Sequence, residues 1–296
     1  MAAAFMDLVG ERVVLLDGGL GTELIKRGFK PGACPESWNL VQADVVKEIT
    51  KNYFAAGSDA VSTNSFGGST IKLAAYGQKD RCYEFNRAGA ELACAVRPQG
   101  KFVLGSMGPT GKFLLPQGEY SPEQFADSFF EQARGLADGG VDFFLLETHY
   151  DLQEALSALQ GVRRASERPV FITLTFNKTP RGYFTMMGNS IAQFVEEMEK
   201  NHVQGVGANC TLDSRQMVDL VEGLRAATSL PLVIQANAGQ PEIVEDGSVQ
   251  YSQPLEDYVK HIPDIVANGA NIIGGCCGTD PEYIHRMAEI LHSLPL

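Results

Sequence analysis

A single (β/α)8 barrel of the TIM type is the fold that this sequence predicts. Three observations carry the prediction. Eight short apolar runs alternate with eight amphipathic stretches along the 296 residues. The runs are nearly continuous in Val, Ile, Leu and Phe, the composition of strands buried on both faces of a parallel sheet. The passages from helix to strand also repeat. Gly57-Ser58-Asp59, Gly140-Val141-Asp142 and Gly269-Ala270-Asn271 each place a helix-stopping Gly just before a strand. Eight such units in sequence favour a closed barrel over other α/β layouts.

The apolar runs lie at 13–16, 60–63, 102–105, 143–146, 170–175, 205–208, 232–235 and 271–273. Gly, Asp or Pro bounds them. The helical patterns lie at 44–56, 80–95, 122–138, 152–165, 191–200, 214–227, 255–268 and 281–294. Asp44 stands where an N-cap belongs, and Val45, Ile49 and Phe54 share a side of the helix it would open. Ser121-Pro122 reads as a cap followed by a first-turn Pro. A longer connection follows the seventh run. Its Asp246-Gly247 pair, set between short apolar segments, predicts a hairpin at the rim. No Pro/Ser-rich linker divides the chain, so 1–296 reads as one domain. A doubly wound nucleotide-binding sheet is the rival. Gly18-Gly19-Leu20-Gly21 lacks the Gly-x-Gly-x-x-Gly spacing that fold needs.

Composition narrows the function. With 44% hydrophobic and 20% charged residues the chain can build a core, which excludes disorder as its main state. Lys plus Arg number 24 against 36 Asp plus Glu, a formal charge of -12 without a basic run. Such a surface repels nucleic acid and anionic membranes. The opening Met-Ala-Ala-Ala-Phe-Met-Asp has no basic n-region and apolar core, so no secretory signal is expected. The apolar stretch at 141–146 is far too short to cross a bilayer. Six Cys in a chain of this size do not make a disulfide scaffold. A cytoplasmic location is expected, with the thiols free, catalytic or metal-bound.

In a barrel, chemistry sits at the carboxyl ends of the strands. Those ends offer Asp17, Asn64, Ser106 and Met107, Glu147, Phe176 and Asn177, Asn209 and Cys210, Asn237, and Cys276 and Cys277. Three Cys from two strand ends therefore converge on one face. Zn²⁺ favours tetrahedral sites with Cys sulfur, and a catalytic zinc keeps one position open. Neighbours on a regular strand face opposite ways. Cys276 and Cys277 can share a metal only if the backbone leaves strand geometry, and Gly274, Gly275 and Gly278 are expected to supply that freedom. Zn²⁺ with three thiolates carries a net charge of about -1 and is a poor generator of hydroxide. It suits a fourth, soft sulfur ligand, whose pKa it lowers. The bland alternative for any single Cys is core packing. Cys34, Cys82 and Cys94 are assigned to it, since their spacing matches no metal motif. Asp17 and Glu147 read as an acid/base pair or as the seat of an ammonium group, with helix capping as the plain alternative for Asp17. His149 is expected at the rim rather than on the metal, three Cys already filling the protein side.

These residues carry a resemblance. Asp17-Gly18-Gly19-Leu20-Gly21-Thr22-Glu23, Thr63-Asn64-Ser65-Phe66-Gly67, Gly108-Pro109-Thr110-Gly111, Glu147-Thr148, Asn209-Cys210 and Gly274-Gly275-Cys276-Cys277-Gly278-Thr279 resemble, in order, the motifs of the homocysteine S-methyltransferase family. The likeness spans nearly the whole chain. Gly108 to Gly111, Asn237-Ala238-Gly239-Gln240-Pro241 and Gly278-Thr279 are most similar to the homocysteine-binding barrel of the cobalamin-dependent methionine synthase branch. The resemblance implies zinc held by Cys210, Cys276 and Cys277, and the polar end of an amino acid near Asp17, Gly18, Gly19 and Glu147. It implies homocysteine as acceptor, and methylcobalamin or a separate corrinoid protein as donor. S-methylmethionine or betaine as donor, demethylation of another substrate for a corrinoid protein, and a non-catalytic zinc- or amino-acid-binding barrel are the alternatives. The folate, cobalamin and reactivation modules of a full methionine synthase have no room before Leu296, so a fragment, a stand-alone enzyme or one half of a two-protein system is expected. The segment from Arg181 to Ser190 departs from the family pattern and is expected to face the substrate, leaving the acceptor thiol open.

Overall fold

The computed structural model describes residues 2–243 and 249–294. Eight parallel strands form one sheet: β1 (Val14–Leu15), β2 (Ala60–Ser62), β3 (Phe102–Met107), β4 (Phe143–His149), β5 (Val170–Leu174), β6 (Gly205–Asp213), β7 (Leu232–Asn237) and β8 (Ile272–Gly275). Each pairs with the next in sequence from β2 to β8, and β8 pairs with β1, giving the strand order of a (β/α)8 barrel. Asp59 and Asp17 bridge the seam between β1 and β2. Asp59 donates its N–H to the Leu15 carbonyl at 2.6 Å and accepts from the Leu15 N–H at 3.1 Å. One turn higher, the Asp17 carboxylate accepts from the Ser62 N–H at 2.7 Å and from its hydroxyl at 2.9 Å.

Alternation along the strands sorts the core. Leu15 and Val61 face the surrounding helices, while Val14, Leu16, Ala60, Leu104 and Leu145 fill the barrel. A helix that the sequence reading passed over, Ala2–Glu11, plugs the amino end. Its Phe5 is fully buried, stacks on Phe143 at 4.0 Å and meets Phe102 and Phe171 edge-on at 5.1 and 5.8 Å. Phe5→Leu keeps most of the apolar volume but loses the ring contacts. A loss of about 1–2 kcal/mol is expected, read as a lower denaturant midpoint with the m-value unchanged.

Seven predicted helices form within two residues of the expected ends. The eighth, at 255–268, is two pieces, Leu255–Val259 and Ile262–Ala267. Pro263 has no N–H to continue the first piece and sits instead in the first turn of the second. Asp44 is not the cap of its helix. Gln42 holds that position, and Asp44 lies in the first turn. Ser121 caps as expected, in a full capping box with Gln124. The arms of the predicted rim hairpin, Pro241–Ile243 and Val249–Tyr251, pair antiparallel. Its Asp246-Gly247 turn lies outside the described residues. No described helix is long and apolar enough to cross a membrane.

Candidate active site at the barrel mouth

Two strand ends build the thiol cluster. β6 slips its register against β7 between Asn209 and Asp213, and Cys210 and Thr211 take left-handed backbone angles, φ 60° and 58°. That kink turns Cys210 toward the axis. β8 stops at Gly275, so Cys276 and Cys277 lie beyond strand geometry, with Cys277 and Gly278 in a turn. The end of β7 fixes them. The Cys276 N–H donates to the Ala236 carbonyl at 2.8 Å, and the Cys277 N–H to Asn237 Oδ1 at 3.1 Å. Of the three glycines expected to free the backbone, only Gly278 is left-handed, at φ +85°. Gly275 is needed for space, because a Cβ there would stand 2.1 Å from Thr279 Oγ1.

The three Sγ atoms lie within 4.8 Å of one another. A tetrahedral ion with bonds of about 2.3 Å needs sulfurs roughly 3.8 Å apart, so the donor set fits zinc. The three half-buried thiols are also tied to each other. Hydrogen bonds from Cys276 and Cys277 push Cys210 down, and the same contacts push Cys276 and Cys277 up. No other group of His, Cys, Asp or Glu among the described residues could hold an ion. Cys34 and Cys82 are buried in a small apolar cluster, and the Cys94 thiol donates to the Gly140 carbonyl.

The cluster opens into a cavity of about 460 Å³. Glu147, Ser106, Thr148 and Gln235 form its inner wall, and Gly18 and Gly19 one flank. Phe66, Lys72 and Tyr76 stand at the outer end. Tyr251, from the rim hairpin, lines it too. Glu147 accepts from the Ser106 hydroxyl at 2.5 Å and faces the Asn209 amide at 3.4 Å. Burial raises its carboxyl to about 7. Gln235 Oε1, buried on this wall, has no hydrogen-bond partner among the described residues.

Three sequence-derived placements change. Asp17 is 1% exposed, with both oxygens on Ser62, beside the cavity-lining Gly18 and Ser62, and its charge reaches Glu147. Burial raises it to about 6. It does not cap the helix Leu20–Lys26, whose N-cap is Gly19. His149 is not at the rim. It is fully buried against Phe129 outside the cavity, and burial lowers it to about 4. The segment from Arg181 to Ser190 does not face the cavity. It begins in a hairpin, Asn177–Thr179 with Gly182–Phe184, that packs outward through Lys178 on Asp219 and Tyr183 on Gln216. Four polar residues of the site, Ser62, Ser106, Asn209 and Gln235, had no assigned role in the sequence. Strand alternation points them inward.

Three thiols and a buried carboxylate, facing one cavity at the carboxyl end of a barrel, define a class. It is a barrel that can hold a soft metal ion beside a ligand of amino-acid size. The chain belongs to the homocysteine S-methyltransferase family, whose sequence profile matches residues 14–291. It is 32% identical over 310 aligned positions to a methionine synthase of Mycobacterium tuberculosis, covering 98% of this chain and 25% of that protein. It is 30% identical to the Mycobacterium leprae methionine synthase, covering 96% and 24%. The chain thus spans about a quarter of the length of these relatives. The metallated homocysteine methyltransferase MmuM of Escherichia coli shares its fold, with a TM-score of 0.82 at 22% identity over 97% of this chain and 99% of that one.

Proposed function

We propose that this chain transfers a methyl group to the thiol of homocysteine, giving methionine, with zinc held by Cys210, Cys276 and Cys277. The observation that carries the reading is that the three Sγ atoms and the buried Glu147 line one cavity. Zinc bound there would lower the pKa of a fourth sulfur and keep it nucleophilic. The chain's own residues do the rest. Glu147 takes the substrate ammonium, and Ser106 and Asn209 orient its carboxylate. Gly18 and Gly19 leave room for the amino-acid backbone, and Asp17 holds the neighbouring Ser62 through both its oxygens. Three thiols held reduced for a metal suit a reducing cytoplasm.

The likeness to methionine synthases favours methylcobalamin, free or on a separate corrinoid protein, as the donor. The experiment has two parts. X-ray absorption of the zinc-loaded protein is expected to show about three sulfurs per zinc, rising toward four with homocysteine and releasing a proton. Methylcobalamin with homocysteine is expected to yield methionine and cob(I)alamin under anaerobic conditions. A sulfur count unmoved by saturating homocysteine would sink the acceptor. Turnover with S-methylmethionine or betaine, and none with methylcobalamin or a methylated corrinoid protein, would replace the donor and leave the acceptor standing.

A further inference from the structure

One fully buried amide lies between the two halves of the site. Asn209 Oδ1 accepts from the Thr148 N–H and from the Thr173 hydroxyl, both at 2.7 Å. Its Nδ2 donates to the Thr148 hydroxyl at 2.7 Å. The same nitrogen faces Glu147 Oε2 at 3.4 Å and Cys276 Sγ at 3.8 Å. The backbone N–H of Thr148 can only donate, which fixes which end of the amide is oxygen. One Nδ2 hydrogen is then committed to Thr148. The other is left between the carboxylate and the thiol.

The amide grips two distorted strand ends. Thr148 has φ 64°, a rare backbone state for a β-branched residue, and β4 slips its register between Leu146 and His149. Cys210, the next residue after Asn209, has φ 60° in the slipped end of β6. Such strain persists only where surrounding contacts over-determine it. Here the contacts are the two bonds between Asn209 and Thr148. Glu147 precedes one distorted residue and Asn209 precedes the other. The amide is therefore a direct link between the two strand ends, beside the strand β5 that pairs with both.

We propose that Asn209 is a positioning residue that couples the carboxylate end of the site to its thiolate end, so that a metal on Cys210, Cys276 and Cys277 and an ammonium ligand on Glu147 favour each other's binding. This rests on the reading of the thiols as zinc ligands and of Glu147 as an ammonium seat. Coupling of this kind is reciprocal, so it can be read from either end.

Thr148 is the informative position, because its hydroxyl is held by Asn209 and it is no member of the thiol cluster. Zinc affinity of Thr148→Ala, measured by chelator competition, is expected to fall about 10-fold, the scale of outer-shell changes at metal sites. Thr148→Ser, which keeps the hydroxyl, is expected to restore it. The thiolate-to-cobalt absorption band of the cobalt(II)-loaded protein is expected to shift in Thr148→Ala and return in Thr148→Ser. In the wild type, zinc is expected to tighten methionine binding by roughly 5–10-fold, and Thr148→Ala to bring that ratio near one. Asn209→Ala is expected to do the same where it folds, and the half-buried Thr148 variants decide where it does not. Zinc affinity and cobalt band both unchanged in Thr148→Ala would overturn the proposal. If methionine binds neither form of the wild type, the ammonium reading of Glu147 falls, and the zinc affinity of Thr148→Ala still decides whether the two strand ends are coupled.

Discussion

Cys276→Ala and Cys210→Ala are each expected to lose at least about 100-fold in zinc affinity and all detectable methyl transfer, while Cys94→Ala keeps both. The scale follows from what each change removes. Outer-shell substitutions alone cost roughly 10–100-fold in metal affinity, and these variants delete a ligand. No neighbour can take its place, because the described residues offer no fourth His, Cys, Asp or Glu within the cluster. The fold should survive. Cys210 and Cys276 sit past the regular parts of β6 and β8, partly open to the cavity. Cys94 is the control, a thiol on the outer helix Cys82–Ala95 that donates to the Gly140 carbonyl. Metal content and methionine formation, measured on the same preparations, give the test. Full zinc in both site variants would mean that the metal, if any, is elsewhere. Lost zinc with retained turnover would mean that the reaction does not need it.

The barrel was legible because its strands announce themselves. β3, β5 and β7 are buried along their whole length, and each opens on an apolar run, Phe102–Leu104, Val170–Ile172 and Leu232–Ile234. The thiol trio was legible for a related reason, since a parallel barrel sends all its strand ends to one face. The details at those ends were less visible. β4 and β6 continue past their apolar cores to His149 and Asp213 through left-handed Thr148, Cys210 and Thr211. Local propensity disfavours that state for Thr, and only tertiary bonds such as those of Asn209 sustain it. The slip in β4 also explains His149. Straight alternation after Glu147 would carry it into the barrel, whereas the displaced register buries it against Phe129. The bonding of Asp17 was hidden for a similar reason. As a strand-end carboxylate it looked ligand-facing, but the open seam between β1 and β2 turns it sideways onto Ser62. The plug helix was passed over because its signal is only Phe5 and Val9, four residues apart in a short segment.

That difference between the two carboxylates sets the second large effect. Glu147→Gln is expected to weaken methionine binding by about 1.5–3 kcal/mol, roughly 10–150-fold in Kd, the worth of a hydrogen bond to a charged group. Methionine is the ligand of choice because it has the ammonium without an ionisable thiol, and the variants are compared at equal zinc loading. Asp17→Asn is expected to change that Kd by less than about 3-fold, because Asp17 is buried with both oxygens already taken by Ser62. Its cost should appear in folding. One amide end still accepts from the Ser62 N–H, and the Ser62 hydroxyl can rotate to accept from the other, so the loss is about 1 kcal/mol. The pH dependence follows from burial, which raises Glu147 to about 7 and Asp17 to about 6. For folding, a carboxyl raised in the native state contributes stability that is complete below its unfolded pKa near 4 and is lost as pH climbs through 6 to 7. For an ammonium ligand the direction reverses, because only the ionised carboxylate attracts it. Methionine affinity should therefore fall as pH drops from 8 to 6, and Glu147→Gln should flatten most of that slope while Asp17→Asn leaves it. Calorimetry across this range gives the result. Equal losses of affinity in the two variants, with zinc retained, would place Asp17 against the ligand. A slope that survives Glu147→Gln would assign the ammonium to another group.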